Sequence, residues 1–420
     1  MDTMRVADEA SVYAAERFAP EPERRRHGVA LCLSGGGYRA ALFHLGALRR
    51  LNELGILTQV DTVSSVSGGS IIAAHLARQS GGWDRGKDGE PVPAWEPRVA
   101  APFRAFCRRN IRTGAVGRRF LPWHWRNERA AVEGLAKSYE RRLTPARFDA
   151  LPVHPRFVFC ATDEVFGVNW EFVSRAGREG QSRAGDWRAG YRIPIPAEWT
   201  VARAVAASSC FPPVFDPLPL DWEPEALRGG RYGKGDRDEL VRGIRLSDGG
   251  VYDNMGLEPV WKSARVVLVS DGGGVFESEA RRGRLGRVSR QLSIVESQSR
   301  GLRKRWLIAG FLSGTMDGAY WGIGSSTDHY DVAERGYSAA LVDEVISEIR
   351  TDLDAFSWAE IAVLENHGYL MADAAARTHL PELIRTDART DVPHPAWENE
   401  GAVQEALRHS HKRSLLGRWR

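Results

Sequence analysis

Apolar positions along this chain fall into short unbroken runs that lead through glycine into helical periodicity. VALCLS, at 29–34, is an uninterrupted apolar run with the length of a strand buried on both faces, and Gly35, Gly36 and Gly37 end it. From 41 to 57, ALFHLGALRRLNELGIL repeats apolar residues at helical spacing and stops near Gly55. The unit then recurs: a strand over 60–66, a sharp turn at Ser67, Gly68 and Gly69, and a helix-like run SIIAAHLARQ. Two successive strand, tight turn and helix units predict an α/β fold.

Residues 80–130 break this rhythm with Gly, Pro, the aromatic run FLPWHW, and eight Arg between Arg104 and Arg129 opposed only by Glu128. The pattern predicts an insertion, within 80–150, packed beside the core. FVFCATD (157–163) and VNWEFVS (168–174) read as paired strands, and VARAVAASSCFPPVF (201–215) as a helix stopped by Pro212 and Pro213. A polar loop is expected over 226–238. IRLSDGG and VVLVSDGGG are again strands running into glycine, and the chain beyond 276 reads as mostly helical, including a periodic stretch over 341–370. The expected division is a charged leader at 1–27, a core at 28–275, a helical part at 276–380 packed on that core, and a basic tail at 381–420.

Composition narrows the class. Of 420 residues, 43% are hydrophobic and 27% charged, which excludes wholesale disorder, collagen-like repeats and a multi-span membrane protein. The most apolar long run, Trp306 to Ile323, contains Asp317 and several Gly, so no clean transmembrane span is expected. The first residues are acidic where an export signal needs an apolar stretch, and the expected location is cytoplasmic. The net charge of +4 resides in 401–420, where Arg408, Lys412, Arg413, Arg418 and Arg420 oppose Glu405 alone. A neutral body with a basic tail argues against nucleic acid as the main ligand and leaves an anionic membrane as a partner for the tail. Cys32, Cys107, Cys160 and Cys210 lie far apart with no paired spacing, as buried thiols do in a reducing compartment.

Three glycine-rich turns close strands, and in open α/β sheets the ligand crevice lies at the carboxyl ends of the strands. Ser65-Val66-Ser67-Gly68-Gly69 nearly matches the G-x-S-x-G elbow, in which a strained strand-to-helix turn exposes a serine hydroxyl. Ser67 is the candidate nucleophile; Ser65 stands where glycine is usual, and Gly69 keeps the small residue that the elbow needs. A helix cap is the plainer reading of Ser67. Gly35 to Gly37 present backbone N–H groups at a helix mouth, suited to a developing oxyanion, with Arg39 adding charge nearby. The same stretch also fits a dinucleotide fingerprint through Gly35, Gly37 and Ala40, with Asp61 as ribose ligand. The third turn, Leu246-Ser247-Asp248-Gly249-Gly250, favours the first reading, because a carboxylate paired with Ser67 could take the hydroxyl proton directly.

The ordered set SGGGYRA, SVSGGS, ARAVAASSCFPPVF and SDGGVYDNMG resembles the patatin-like phospholipases over roughly 28–275. That resemblance implies a three-layer α/β/α sandwich with a mainly parallel central sheet. It also implies a serine hydrolase of acyl lipid esters, of phospholipase A or lysophospholipase type, that needs no metal or other cofactor. By matched position it makes Ser67 the nucleophile, Asp248 the dyad acid, and Gly35, Gly36 and Gly37 the oxyanion loop, with Arg39 at that loop's basic position and Ala40 where Gly is frequent. Asp271, in SDGGG, is the rival acid. A Ser-Asp-His triad would need His329 or His367, while His44 and His75 lie within the helices that follow the turns.

The substrate class implied is a phospholipid or lysophospholipid at a membrane surface. Phe120 to Trp125 and Arg303 to Gly314 have the mixed basic and apolar composition of interfacial segments. Two other classes stay open on sequence: a catalytically silent scaffold of the same fold that binds lipid or a partner, and a dinucleotide-binding protein.

Overall fold

The apolar run at 29–33 becomes a central strand because both of its faces find apolar partners. In the computed structural model, which describes residues 25–410 except 82, 84–88, 118–128, 177–179, 213, 232–233, 275–283 and 331–334, β1 (Val29–Leu33) is buried at every position. Leu31 and Leu33 point into the main core, whereas Ala30 and Cys32 meet Val267, Val269, Trp261 and Leu307 on the opposite face. Truncating Leu31 to Ala would cost about 2–5 kcal/mol, since a fully buried site between two layers cannot collapse around the loss.

The chain continues through α1 (Gly37–Glu53), β2 (Val60–Val66), α2 (Gly68–Ser80), α3 (Ala130–Arg142), β3 (Arg156–Asp163), β4 (Val168–Ala176), β5 (Gln181–Asp186) and β6 (Gly190–Arg192). There follow α4 (Val201–Ser208), β7 (Leu218–Pro219), β8 (Leu227–Arg228), β9 (Arg245–Asp248), α5 (Gly250–Asp253), β10 (Val266–Asp271), α6 (Arg284–Leu312), β11 (Asp317–Gly322), α7 (Trp358–His379) and α8 (Glu400–Leu407). β11, β10, β1, β2 and β3 lie side by side and parallel, and β4, β5, β6 and β8 extend the sheet antiparallel. Helices α1, α2 and α7 cover one face and the α5–α6 region the other, so the molecule is an α/β/α sandwich with a mixed sheet built around a parallel centre.

β3 fixes the distance between two of the glycine turns. Its first half pairs with β2, ending with Val66 opposite Cys160, and its second half pairs on the same side with β9, starting with Asp248 opposite Ala161. The strand before Ser67 and the strand carrying Asp248 therefore meet against consecutive residues of β3.

Several expected boundaries move. α1 begins at Gly37, four residues before the apolar periodicity, because Gly36 (φ 140°) and Gly37 (φ 57°) make the turn themselves. α4 ends at Ser208, ahead of the prolines. The polar loop expected over 226–238 contains β8 and the start of a helix, Lys234–Arg242. The periodic stretch 341–370 is interrupted: Asp352 and Asp354 side chains bind nearby backbone N–H groups, and helix α7 starts only at the Ser357–Glu360 capping box. The chain beyond 276 also adds strand β11 to the sheet. At the far end, α8 packs through buried Val403 and Leu407, so residues 400–407 of the expected tail are helical, while 411–420 lie outside the described residues. The four cysteines are free thiols and buried, and no described helix is long and apolar enough to cross a membrane.

Candidate active site

Ser67 sits where β2 stops and α2 starts, with φ 49° and ψ −114°, a backbone conformation that L side chains adopt only when their surroundings enforce it. Three neighbours do so. The Ser67 N–H donates to Ser208 Oγ at 2.9 Å, Gly69 N–H donates to the Ser34 carbonyl at 3.0 Å, and Ile71 N–H donates to the Ser67 carbonyl at 3.1 Å. Gly69 has no room for a side chain, since a Cβ there would collide with the Leu33 carbonyl. The Ser67 side chain accepts no capping hydrogen bond from α2, so it is not spent as a helix cap. Ser65, where glycine is usual in such elbows, is buried and donates to the Val158 carbonyl at 3.0 Å. Its hydroxyl also accepts from Ser70 Oγ at 3.1 Å, which ties the end of β2 to the first turn of α2.

Asp248 ends β9 and is 2% exposed. Oδ1 accepts from Gly250 N–H at 2.8 Å, whereas Oδ2 has no hydrogen-bond partner among the described residues. Burial pushes this carboxyl up to about 7; the Gly250 N–H and the neighbouring Ser67 hydroxyl restrain the rise, and the Glu296 charge adds to it. The serine hydroxyl is thus near enough to be felt without completing a well-formed bond, as happens in unliganded sites. A buried carboxyl oxygen beside a serine, with no hydrogen-bond partner among the described residues, is open to that serine's proton.

The first glycine turn lies across from Ser67. Gly35 N–H is used by the Asn254 carbonyl at 2.9 Å, but Gly36, Gly37 and Gly68 N–H groups at the starts of α1 and α2 have no turn or cap partner among the described residues. Gly37 and Gly68 approach so closely that a Cβ on Gly68 would strike the Gly37 carbonyl. Orphan N–H groups from two helix starts therefore share one small space beside the elbow.

Arg39, expected beside this loop, is 4% exposed and donates through Nη1 to the carbonyls of Ser347 (3.2 Å) and Ile349 (2.7 Å). Tyr38 N–H likewise donates to the Asp352 carbonyl at 2.9 Å. The interrupted segment 347–352 from the C-terminal region is thereby clamped onto the glycine loop.

The rival residues lie elsewhere. Asp271 ends β10, two strands from β2, a lateral offset of about 10 Å. Asp61 lies at the opening of β2, its Oδ2 accepting from Val29 N–H at 2.9 Å, which puts it about 20 Å from the Ser67 end of the same strand. A ribose ligand could not be shared between Asp61 and the glycine turn. His367 bonds the Ile323 carbonyl at 2.8 Å, at the end of β11, three strands from β2 and about 14 Å to the side, and His329 lies in the turn Thr327–His329 that follows β11 in the chain. His44 bridges Ser270 Oγ and the Ser34 carbonyl, and His75 bonds the Val99 carbonyl. Burial pushes His44, His75 and His367 each down to about 4, so they are neutral structural groups.

Two contributors were not singled out from the sequence. Ser208 Oγ receives Ser67 N–H and donates to the Cys160 carbonyl at 2.6 Å, while its own carbonyl receives Gly249 N–H at 3.1 Å. One residue of α4 thus touches the backbone of both turns. The Asn254 side chain lies among the glycine turns, so close that a Cβ on Gly35, Gly250 or Gly273 would collide with it. The only signal for either was its place inside the motifs ARAVAASSCFPPVF and SDGGVYDNMG.

A family model described as patatin-like phospholipase matches residues 31–261, more than half of the 420. Among solved structures, human GIVD cytosolic phospholipase A2 is similar at 12% identity and a TM-score of 0.44, covering 96% of this chain and 63% of that one. The same human protein in complex with methyl gamma-linolenyl fluorophosphonate gives 12% identity and a TM-score of 0.43, over 96% and 62% of the two chains. VipD from Legionella pneumophila is similar at 14% identity and a TM-score of 0.33, over 84% and 67%. The present chain spans less than two thirds of the human protein's length. No curated protein matches it. On the match that extends from β1 to beyond the Asp248 turn, the chain belongs to the patatin-like phospholipase family.

Proposed function

We propose that this protein hydrolyses acyl esters of phospholipids or lysophospholipids through a Ser67–Asp248 dyad. The observation that carries the reading is the unpaired, buried Oδ2 of Asp248, set beside a serine held at φ 49°. Ser67 Oγ attacks the ester carbonyl carbon while its proton passes to Asp248. The carbonyl oxygen takes negative charge and is met by the N–H groups of Gly36, Gly37 and Gly68. Collapse breaks the bond to the alcohol, which takes the proton from Asp248 and leaves as the lysophospholipid or, from a lysophospholipid, as the fully deacylated alcohol. Water then attacks the acyl-serine, gives its proton to Asp248, and the fatty acid departs as Ser67 is reprotonated. A carboxyl near 7 suits both halves of this cycle at neutral pH.

In this scheme Gly35 shapes the loop, since its N–H is already engaged, and Arg39 is a positioning residue that holds segment 347–352 against it. The test is fatty-acid release from mixed phospholipid vesicles by the wild type, Ser67→Ala and Asp248→Asn, with Asp271→Asn and His329→Ala as controls. Loss in the first pair with retention in the second supports the dyad. Loss in a control and retention in Asp248→Asn would overturn it. Labelling of Ser67 by a fluorophosphonate checks that the elbow serine is reactive, independently of the lipid chosen.

A further inference from the structure

Helix α6 presents two unlike faces. At 100° per residue, Val295, Leu302 and Trp306 fall within about 40° of one another, and they are 66%, 61% and 39% exposed. Leu312, at the end of the helix, is 85% exposed. These four, with Ile294, make up five of the eleven large exposed apolar side chains among the described residues. The opposite face is fixed to the body. Arg300 donates to the Gly274 carbonyl, Arg303 to Glu258 and the Tyr252 carbonyl, and Leu307 is fully buried against β1 and β10. Trp306 also meets Trp261 edge to face at 4.7 Å, so the stripe is held in place.

From 290 to 312 the helix carries Arg290, Arg300, Arg303, Lys304 and Arg305 against Glu296 alone. Arg305 is exposed, and its Nε donates to the Gly301 carbonyl of its own helix. The inward face lines a shallow recess with Gly250, Tyr252 and Asn254, beside the Asp248 turn, and half-exposed Val251 also borders it. Helix α6 therefore sets its polar inward face beside the Asp248 turn and turns its apolar face outward.

We infer that the outward face of α6 docks on an anionic lipid bilayer, with Val295, Leu302, Trp306 and Leu312 in the interfacial layer and Arg305 at the lipid phosphates. An apolar stripe edged by basic residues and bearing a tryptophan is the makeup of a helix lying in a membrane interface. A second copy of the chain is the poorer occupant, because a twofold contact through α6 would bring its basic residues against themselves. The inference deepens the hydrolase reading and rests on it for the meaning of the docking, though not for the docking itself.

The experiment separates the two. Ser67→Ala protein, which leaves vesicle composition unchanged, is sedimented with phosphatidylcholine vesicles and with vesicles containing about a third phosphatidylglycerol. It is expected to pellet with the anionic vesicles and to be released by high salt. Val295→Ser combined with Leu302→Ser, both at exposed positions, lowers the partition on the order of tenfold or more, and Arg305→Gln lowers it about fivefold. Placed in the wild-type background, the same substitutions leave cleavage of a water-soluble ester unchanged and slow vesicle hydrolysis in step with binding. Binding without any ester cleavage by the wild type would sink the hydrolase reading and keep the docking. The docking is overturned if the Ser67→Ala protein ignores anionic vesicles, if the serine pair binds as the parent does, or if the parent is a dimer that the serine pair dissociates.

Discussion

The chain writes Ser-Asp-Gly-Gly twice, at 247–250 and 270–273, and the fold gives the two copies opposite chemistry. The local turns are alike. In each, Oδ1 accepts the N–H two residues on, at 2.8 Å for Asp248 and 3.0 Å for Asp271. The second oxygens differ. Asp271 Oδ2 accepts from Tyr320 Oη at 2.9 Å, and the charges of Arg300 and Lys304 lie nearby, so its carboxyl is held below the usual range despite burial. Asp248 Oδ2 has no partner among the described residues, and burial lifts the group to about 7. A four-residue motif specifies a turn; the groups that other elements bring to the free oxygen decide whether the carboxylate is a strut or a base.

The sharpest way to break this contrast is to neutralise each acid in turn. Asp248→Asn keeps the turn but cannot take a proton, and ester hydrolysis falls by about 10³-fold, whereas Asp271→Asn stays within about threefold of wild type. Initial rates on one ester substrate decide it. Equal losses would mean that the two carboxylates share a role and that the free oxygen is irrelevant.

Next in size is Ser208→Ala. It removes the acceptor of Ser67 N–H and a donor to the Cys160 carbonyl, while the backbone bond to Gly249 remains. The elbow loosens without losing either dyad member, and kcat drops about 10- to 100-fold with KM little changed. Ser208→Thr, which keeps the hydroxyl, recovers part of the rate. A pure loss of thermal stability with normal kcat in the folded fraction would reduce Ser208 to a packing residue.

The two acids also respond oppositely to pH. Folded Asp248 keeps its proton to about 7, while an unfolded aspartate releases it near 3.9. Between those values the folded state binds more protons, so the contribution of Asp248 to stability falls as pH rises. Activity moves the other way, kcat/KM rising through pH near 7 as the base form appears. Asp271, depressed in the fold, stabilises above the unfolded value and loses that contribution as pH falls. Asp163, buried beside Asp186 and pushed up to about 8, has the sign of Asp248, so the useful quantity is the difference between parent and Asp248→Asn. Denaturant unfolding from pH 4 to pH 7 is expected to give slopes that differ by up to about 1.4 kcal/mol per pH unit. Parallel slopes would show that Asp248 titrates alike in both states.

Much of this arrangement was legible in the chain. The central strands announced themselves because strands buried on both faces must be unbroken apolar runs, as 29–33 and 266–269 are, while the parallel order of the sheet came from the family resemblance. The turns at Ser67 and at 35–37 were readable from their glycines and from the near match to an elbow motif. What was not readable depends on residues distant in sequence. Nothing in DGAYWG says that it pairs with β10, and nothing near Arg39 says that its partners are the carbonyls of 347 and 349. The choice between Asp248 and Asp271 rested on flanking motif, whereas the physical difference comes from Tyr320, Arg300 and Lys304, some 30 to 50 positions downstream of Asp271. Phe120 to Trp125, read as an interfacial segment, lies outside the described residues.

The smallest effect tests the strut directly. Tyr320→Phe removes the donor to Asp271 Oδ2 and leaves that buried oxygen to Arg300 and Lys304 alone. Losing a hydrogen bond to a charged group costs about 1.5–3 kcal/mol, less here because the ring stays in place and the two cations remain. The carboxyl rises towards its ordinary value, so the stability lost on acidification is smaller than in the parent. Ester hydrolysis stays within about twofold, since the bond lies on the far side of β1 from the elbow. Chemical denaturation and initial rates on the same preparation read both quantities. A rate loss larger than the stability loss explains would mean that the Asp271 turn reaches the Ser67 site, through Gly273 and the Asn254 side chain that packs beside it. The two Ser-Asp-Gly-Gly turns would then be one coupled device, with the strut setting the position of the base.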